Sequence, residues 1–216
     1  MNDTEHKNLT LFKCAQYGGF PPGTTNKDLL AAIRDGKIAQ FDEAEEAKNG
    51  RNLHSGIAHR ESAFLRAAFY GNLLPGTTIQ DLKDAQLYFL GHTGLYCAAL
   101  GGKLPPETTV DDLIQSKSPQ GWSALHGAAA SGILLPGTTM HDLINTVGPD
   151  QTTAFDHLPN NWESARVKTL LDATNAISLV EAKTFGAMLI KRYSGKHDTA
   201  IVVSTWMVRE MKRLSA

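Results

Sequence analysis

The 216-residue chain has two cysteines, 7% aromatic residues and a formal charge of only −1. Cys14 and Cys97 are too few for a disulfide framework and have no CxxC or zinc-ligand spacing, so they read as small core residues. No apolar run approaches the ~20 residues that a membrane-spanning helix needs, and the N-terminal MNDTEHKNLT has no apolar signal segment. A cytoplasmic protein with no membrane partner is expected. The eight histidines form no HExxH pair and no H-x₃-H pair with a further ligand nearby, so no metal site is expected. The glycines match neither GxGxxG nor GxxxxGK[ST], and there is no G-x-S-x-G. Cys97 beside His92 reads as core packing rather than as a nucleophile. The chain is not expected to be an enzyme, and no catalytic residue or cofactor is expected.

The near-zero charge conceals an asymmetry. Residues 1–164 hold 12 Lys+Arg against 18 Asp+Glu, a balance of −6, while 165–216 hold 9 against 4, a balance of +5. Nucleic-acid binding by the whole molecule is disfavoured, but the C-terminal segment stays open to it.

What the chain does have is repetition. PPGTTNKDL at 21–29, LPGTTIQDL at 74–82, PPETTVDDL at 105–113 and LPGTTMHDL at 135–143 write one junction four times. Upstream of each lies a second phrase: TLFKCAQYG (10–18), AFLRAAFYG (63–71), GLYCAALGG (94–102) and ALHGAAASG (124–132). Ser62 to Thr93 to Ser123 are steps of 31 and 30, and a further 30 reaches Thr153 in TTAFDHL, a decayed fifth copy. Such periodicity means stacked supersecondary units.

Within each unit, Leu11, Phe64, Leu95 and Leu125 are followed at i+3 and i+4 by small residues (Cys14-Ala15, Ala67-Ala68, Ala98-Ala99, Ala128-Ala129). This spacing predicts a short helix with one buried face that allows close approach of its neighbour. Gly18, Gly71, Gly102 and Gly132 fall where the helix must stop. Pro22, Pro75, Pro106 and Pro136 disfavour helix at the preceding residue; Thr25, Thr78, Thr109 and Thr139 then supply N-caps. The aspartates three residues on (28, 81, 112 and 142) complete T-x-x-D capping boxes. The junction restarts a helix, buried through Leu29, Leu82, Leu113 and Leu143.

These phrases resemble the ankyrin repeat, whose first helix carries T-P-L-H-x-A-A-x-x-G. The nearest copies are Ser123-Ala124-Leu125-His126-Gly127-Ala128-Ala129, ending at Gly132, and Thr93-Gly94-Leu95-Tyr96-Cys97-Ala98-Ala99, ending at Gly102. The resemblance implies an all-α, ankyrin-like helical-repeat solenoid over 1–160, with units near 8–34, 61–90, 92–120 and 122–150 and a decayed unit at 152–160. It also implies that His126 makes a structural hydrogen bond between repeats. SKSPQG at 116–121 is too short for a full β-hairpin, so reduced fingers are expected. The first two units lie 53 residues apart, leaving an insertion or a degenerate unit at 35–60, in which FDEAEEAKNG (41–50) reads as a short acidic helix ended by Gly50.

Beyond Leu158 the phrase disappears, and 161–216 reads as a C-terminal helical cap that hides the last unit's apolar face. Helices are expected over 162–172, from Ser178 to Gly195 with Ser178-x-x-Glu181 as capping box, and from Asp198 with Ile201, Val202, Trp206, Val208 and Met211 as its apolar side. Lys191, Arg192, Lys196, Arg209, Lys212 and Arg213 are basic and could contact nucleic acid, although basic last turns also complement helix dipoles.

On the first helices, the positions not assigned to packing are Lys13, Gln16 and Tyr17; Arg66, Phe69 and Tyr70; Cys97, Leu100 and Gly101; and Gly127, Ala130 and Ser131. Stacking lines them into a stripe that the ankyrin resemblance places on the concave face. Tyr17, Arg66, Phe69, Tyr70 and Leu100, with Trp122 at the rim, are the expected partner-binding residues, unless they pack beneath the insertion. The function expected is a protein–protein interaction scaffold or adaptor; the alternative is a nucleic-acid-associated regulator using the basic C-terminal helices.

Overall fold

Each copy of the two phrases folds into the pair of helices its residues dictate. The structure, a computed structural model, describes residues 3–33, 62–85 and 92–215. Its paired helices are α1 (Asp3–Tyr17) and α2 (Asn26–Ala31), α3 (Ala63–Tyr70) and α4 (Ile79–Asp84), α5 (Gly94–Leu100) and α6 (Val110–Gln115), and α7 (Ala124–Ser131) and α8 (Met140–Asn145). The fifth copy keeps only a 3₁₀ turn, Ala154–His157. Three further helices follow: α9 (Ser164–Asp172), α10 (Leu179–Arg192) and α11 (His197–Leu214). All regular elements among the described residues are helical, so the chain is all-α there.

The junction works as two consecutive devices, which is why threonine is written twice. The first Thr closes a tight turn: Thr24, Thr77, Thr108 and Thr138 donate backbone N–H bonds to the carbonyls of Pro21, Leu74, Pro105 and Leu135. Gly23, Gly76 and Gly137 occupy the third turn position at φ near +80°, as a type II turn with proline before it requires. Glu107 stands at that place in the third copy without a positive φ. The second Thr caps the helix. Thr25, Thr78, Thr109 and Thr139 accept from the N–H of Asp28, Asp81, Asp112 and Asp142 at 3.1–3.2 Å, and each aspartate accepts in return from its threonine N–H at 2.8–3.0 Å.

The helix pairs are joined by one recurring bond. Ala63, Gly94, Ala124 and Ala154 donate to the carbonyls of Ala32, Ala85, Ser116 and Thr146, each at 2.9 Å. Single antiparallel bridges close the described inter-unit loops: Ile33 with Ser62, Lys117 with Ser123, and Val147 with Thr153. α1 packs directly on α3, and the bridge between Ile33 and Ser62 matches those of the later units, so the packing of first helices continues across the 53-residue gap. The acidic helix expected at 41–50 lies outside the described residues.

The first helices α1, α3, α5, α7 and the 3₁₀ turn pack side by side in chain order, and each second helix packs against the first helix of the following unit. Leu29, Leu82, Leu113 and Leu143 are fully buried between them, worth about 2 kcal/mol each. Glycine allows the closest approaches: a Cβ on Gly127 would lie 2.8 Å from the Tyr96 carbonyl oxygen, and one on Gly101 would overlap the carbonyl of Phe69. α1 extends seven residues upstream of the repeated phrase, starting at Asp3 instead of Thr10. Asp3 and Glu5 in its first turn suit a helix start.

The C-terminal helices join the same core, which runs as one cluster from Leu9 to Trp206. α9 and α10 both pack on α11. The junction with the fourth unit follows a rule visible upstream, in which the residue after each capping glycine reaches over the capping glycine of the unit before. Asn72 lies beside Gly18 and donates to the Ala15 and Gln16 carbonyls at 3.1 and 2.9 Å; Lys103 lies over Gly71, and Ile133 over Gly102. At Gly132, where no further repeat phrase exists, Trp162 covers the glycine and Arg166 donates to its carbonyl at 2.7 Å. Thr174 Oγ1 accepts from the Met140 N–H at 2.9 Å. Ser178 accepts from the Glu181 N–H as expected, but the Glu181 carboxylate takes the Ile177 N–H instead of closing the box on Ser178.

Candidate interaction surface

The stripe on the first helices divides into positions with different fates. The leading position, occupied by Lys13, Arg66, Cys97 and Gly127, is exposed only in α1; the other three are buried, because that face packs on the preceding first helix. Arg66 is therefore corrected: it is 1% exposed, lies over the Phe12 ring at 5.2 Å and donates to Gln16 Oε1 at 3.3 Å, so it is a stacking residue and not a surface anchor. Its long side chain does between units one and two what smaller residues do further along. Lys13, Arg66, Tyr70 and Cys97 each make further contacts as well.

The other two stripe positions stay partly open. Gln16, Phe69, Leu100 and Ala130 are half-buried, as are Tyr70, Gly101 and Ser131, while Tyr17, at the end of α1, is 57% exposed. Phe69 and Tyr70 meet edge to face at 5.1 Å between centroids, and Phe69 rests its other side on the core. The structure thus brings Tyr17, Phe69, Tyr70 and Leu100 onto successive helices with aromatic area available.

Trp122 does not stand free at the rim. Its ring meets His126 and His157 edge to face at 5.1 and 5.3 Å, and those two imidazoles are 5.4 Å apart, forming a cluster between the fourth unit and the 3₁₀ turn. His126 is fully buried, and its Nδ1 accepts the Ser123 N–H at 3.3 Å and lies 2.9 Å from Ser123 Oγ. Burial, reinforced by the neighbouring His157, pushes the His126 imidazole down to about 4. It is neutral at physiological pH and serves architecture.

The basic C-terminal residues are mostly tied into the fold. Arg192 donates to the Asp156 carbonyl at 2.9 Å and to the Leu158 carbonyl, and lies over Phe155; Lys196 donates to the Trp162 carbonyl at 2.8 Å. Arg209 bonds Asp172 at 3.2 Å, and both Arg209 and Arg213 bond Glu210. Lys191 and Lys212 are exposed.

Glu210 escaped the sequence reading. It is 1% exposed and accepts from the Ala176 N–H at 3.0 Å. Burial alone would raise its carboxyl, but Arg213 and the Ala176 N–H hold it below the ordinary value. The signal was present: Val203, Trp206 and Glu210 recur at helical spacing, which puts a carboxylate on the buried face. Ile201, Val208 and Met211, expected on that face, are instead exposed, whereas Val202 is partly buried against the core and Trp206 is buried; the buried residues of α11 are Thr199, Val203, Trp206 and Glu210.

Among the described residues no cluster of His, Cys, Asp or Glu could hold a metal ion. Comparison of the chain with protein-family models, with curated proteins and with solved structures finds no match.

Proposed function

We propose that this chain is an ankyrin-like helical-repeat solenoid, closed by its C-terminal helices, that works in the cytoplasm as a non-catalytic scaffold or adaptor holding a protein partner. The observation that carries this reading is the division of labour within each unit. Caps, capping boxes and glycines are committed to starting, ending and stacking the helices, as is the leading stripe position after α1, whereas Tyr17, Phe69, Tyr70 and Leu100 present partly open apolar area along successive helices. Large aromatics whose exposed edges line up across rigid elements are the material of binding hot spots. Rigid presentation lowers the ordering cost of association.

The test is the Phe69→Ala/Tyr70→Ala pair, assayed for thermal unfolding and for capture of a partner from the source cell. Lost capture with a retained cooperative transition supports the surface; collapse of the transition with capture retained by Tyr17→Ala would place those aromatics in the core and end this reading. The second reading, nucleic-acid binding through the C-terminus, has weaker support because Arg192, Lys196, Arg209 and Arg213 are bonded within the fold. Retention on a DNA column that falls steeply with salt would restore it.

A further inference from the structure

In the first two units the loops between paired helices stand beside each other, 18–24 against 71–75. The fourth unit has no following junction phrase, and α9 stands beside its loop instead. Between that loop, 132–138, and α9 lies a cavity of about 280 Å³. Its walls are largely apolar: Ile133, Leu134, Leu135 and Leu170 line it, with Trp162 against Gly132. Small-molecule sites have this make-up, apolar walls with a few polar groups, and start at about 300 Å³. The cavity therefore suits a ligand at the small end of that range.

Two donors converge at one end of it. The point where a Cβ would stand on Gly132 lies 2.7 Å from Trp162 Nε1 and 3.4 Å from Arg166 Nη1. Trp162 is 5% exposed, and no described residue accepts from its indole N–H. Arg166 gives one N–H to the Gly132 carbonyl at 2.7 Å and is itself exposed, so its planar fork keeps further donors for a ligand. Among the described residues no carboxylate pairs with Arg166. Glu163, three residues before it, makes no ion pair with it, and Asp172 is held by Lys168 and Arg209. Arg166 is also the one charged side chain among the residues that line the cavity.

We infer that this cavity binds a small monocarboxylate with an apolar body, its chain along Ile133, Leu135 and Leu170 and its carboxylate on Arg166. The chemistry follows from the lining. Apolar walls reward a hydrocarbon body, and a single guanidinium matches the charge of one carboxylate and the spacing of its two oxygens. The site exists because the repeat phrase stops: a helix, and not a fifth junction loop, closes the fourth unit here.

The experiment titrates octanoate into the full chain at pH 7, with 1-octanol as the uncharged control, by calorimetry and by the Trp162 indole N–H resonance, identified with Trp162→Phe. Octanoate, with about ten non-hydrogen atoms, is expected to bind one site with Kd on the order of 0.1–1 mM and to shift that resonance. The alcohol should bind at least about tenfold more weakly. Arg166→Gln should bring octanoate down to the level of the alcohol. Thr169→Phe, at an exposed position that lines the cavity, should block both ligands and keep the wild-type melting transition; it carries the test if Arg166→Gln fails to fold. A wild type with no saturable binding by about 10 mM octanoate overturns the proposal. So does 1-octanol binding as tightly as octanoate, or a folded Thr169→Phe that binds octanoate like wild type, which would place the ligand elsewhere.

Discussion

At the scale of single residues, three polar side chains lie where apolar ones would be expected, and each makes a prediction. Arg66 fills the space between the first two units, so Arg66→Ala should destabilise by about 2–3 kcal/mol in urea unfolding, through lost packing and an unfilled hydrogen bond. Glu210 gathers Ala176, Arg209 and Arg213 around a buried carboxylate. Glu210→Ala would leave the buried Ala176 N–H unmatched and take one carboxylate partner from Arg209 and Arg213, which keep Asp172 and the Ala176 carbonyl, and should cost about 2 kcal/mol. His126 titrates at about 4 in the fold against 6.5 when unfolded, so between those values the unfolded chain binds the extra proton. Its contribution, on the order of 3 kcal/mol, is complete above pH 6.5 and is lost as pH falls toward 4. Urea titrations at pH 7 and pH 4.5 should differ by much of that amount, and His126→Gln should flatten the difference while lowering stability at both.

At the scale of the helix, the four capping boxes make the same argument four times. Thr78→Ala and Thr109→Ala should each cost about 1 kcal/mol, read as a lower denaturation midpoint. A partner-binding defect with an unchanged midpoint would instead make the Thr-Thr pair a ligand site. The third box also sets a second, lower pH window. Lys83 and Thr109 hold the Asp112 carboxyl down at about 2, against 3.8 for a free aspartate, so its contribution is present above pH 3.8 and disappears as pH falls through 2. Acid unfolding should therefore show two stages, His126 first and Asp112 second. Between helices, Gly101 has no room for a methyl group because Phe69 main chain occupies it. Gly101→Ala should cost about 3 kcal/mol, as overpacking against backbone cannot relax by rotamer changes.

At the scale of the whole molecule, the segment after the fourth unit packs on that unit. Trp162 and Arg166 do for Gly132 what Asn72, Lys103 and Ile133 do for the three glycines before it. Removing residues 165–216 would take Thr174 from Met140 and Arg192 from Phe155 and Leu158 at the end of the fourth unit, and the truncated chain is expected to aggregate or lose its cooperative transition. A soluble 1–164 with a sharp melt would make the C-terminal segment a separate domain. The one-residue counterpart is Arg192, which ties α10 to the Asp156 and Leu158 carbonyls and bears on this junction before any nucleic acid.

The sequence alone determined the helices, their caps and their period, because these depend on neighbours within a few residues. A Thr that follows a Pro-containing turn and has Asp three residues on makes a capping box from its neighbours alone, and a glycine after a run of small apolar residues ends a helix by its own backbone freedom. The same locality made the 53-residue gap ambiguous: only the bond from Ala63 to the Ala32 carbonyl, between residues 31 apart, shows that the stack continues across it. The candidate surface was legible by half. That the first helices present a line of positions at i, i+3 and i+4 follows from the helical repeat, but which of them faces solvent depends on how closely the preceding helix lies. Tertiary packing put Arg66 inside, set Trp122 against two histidines, and left Tyr17, Ile177 and Val180 outside. Burial is a property of the surface a side chain shares with residues far away in the chain, and no local pattern contains it.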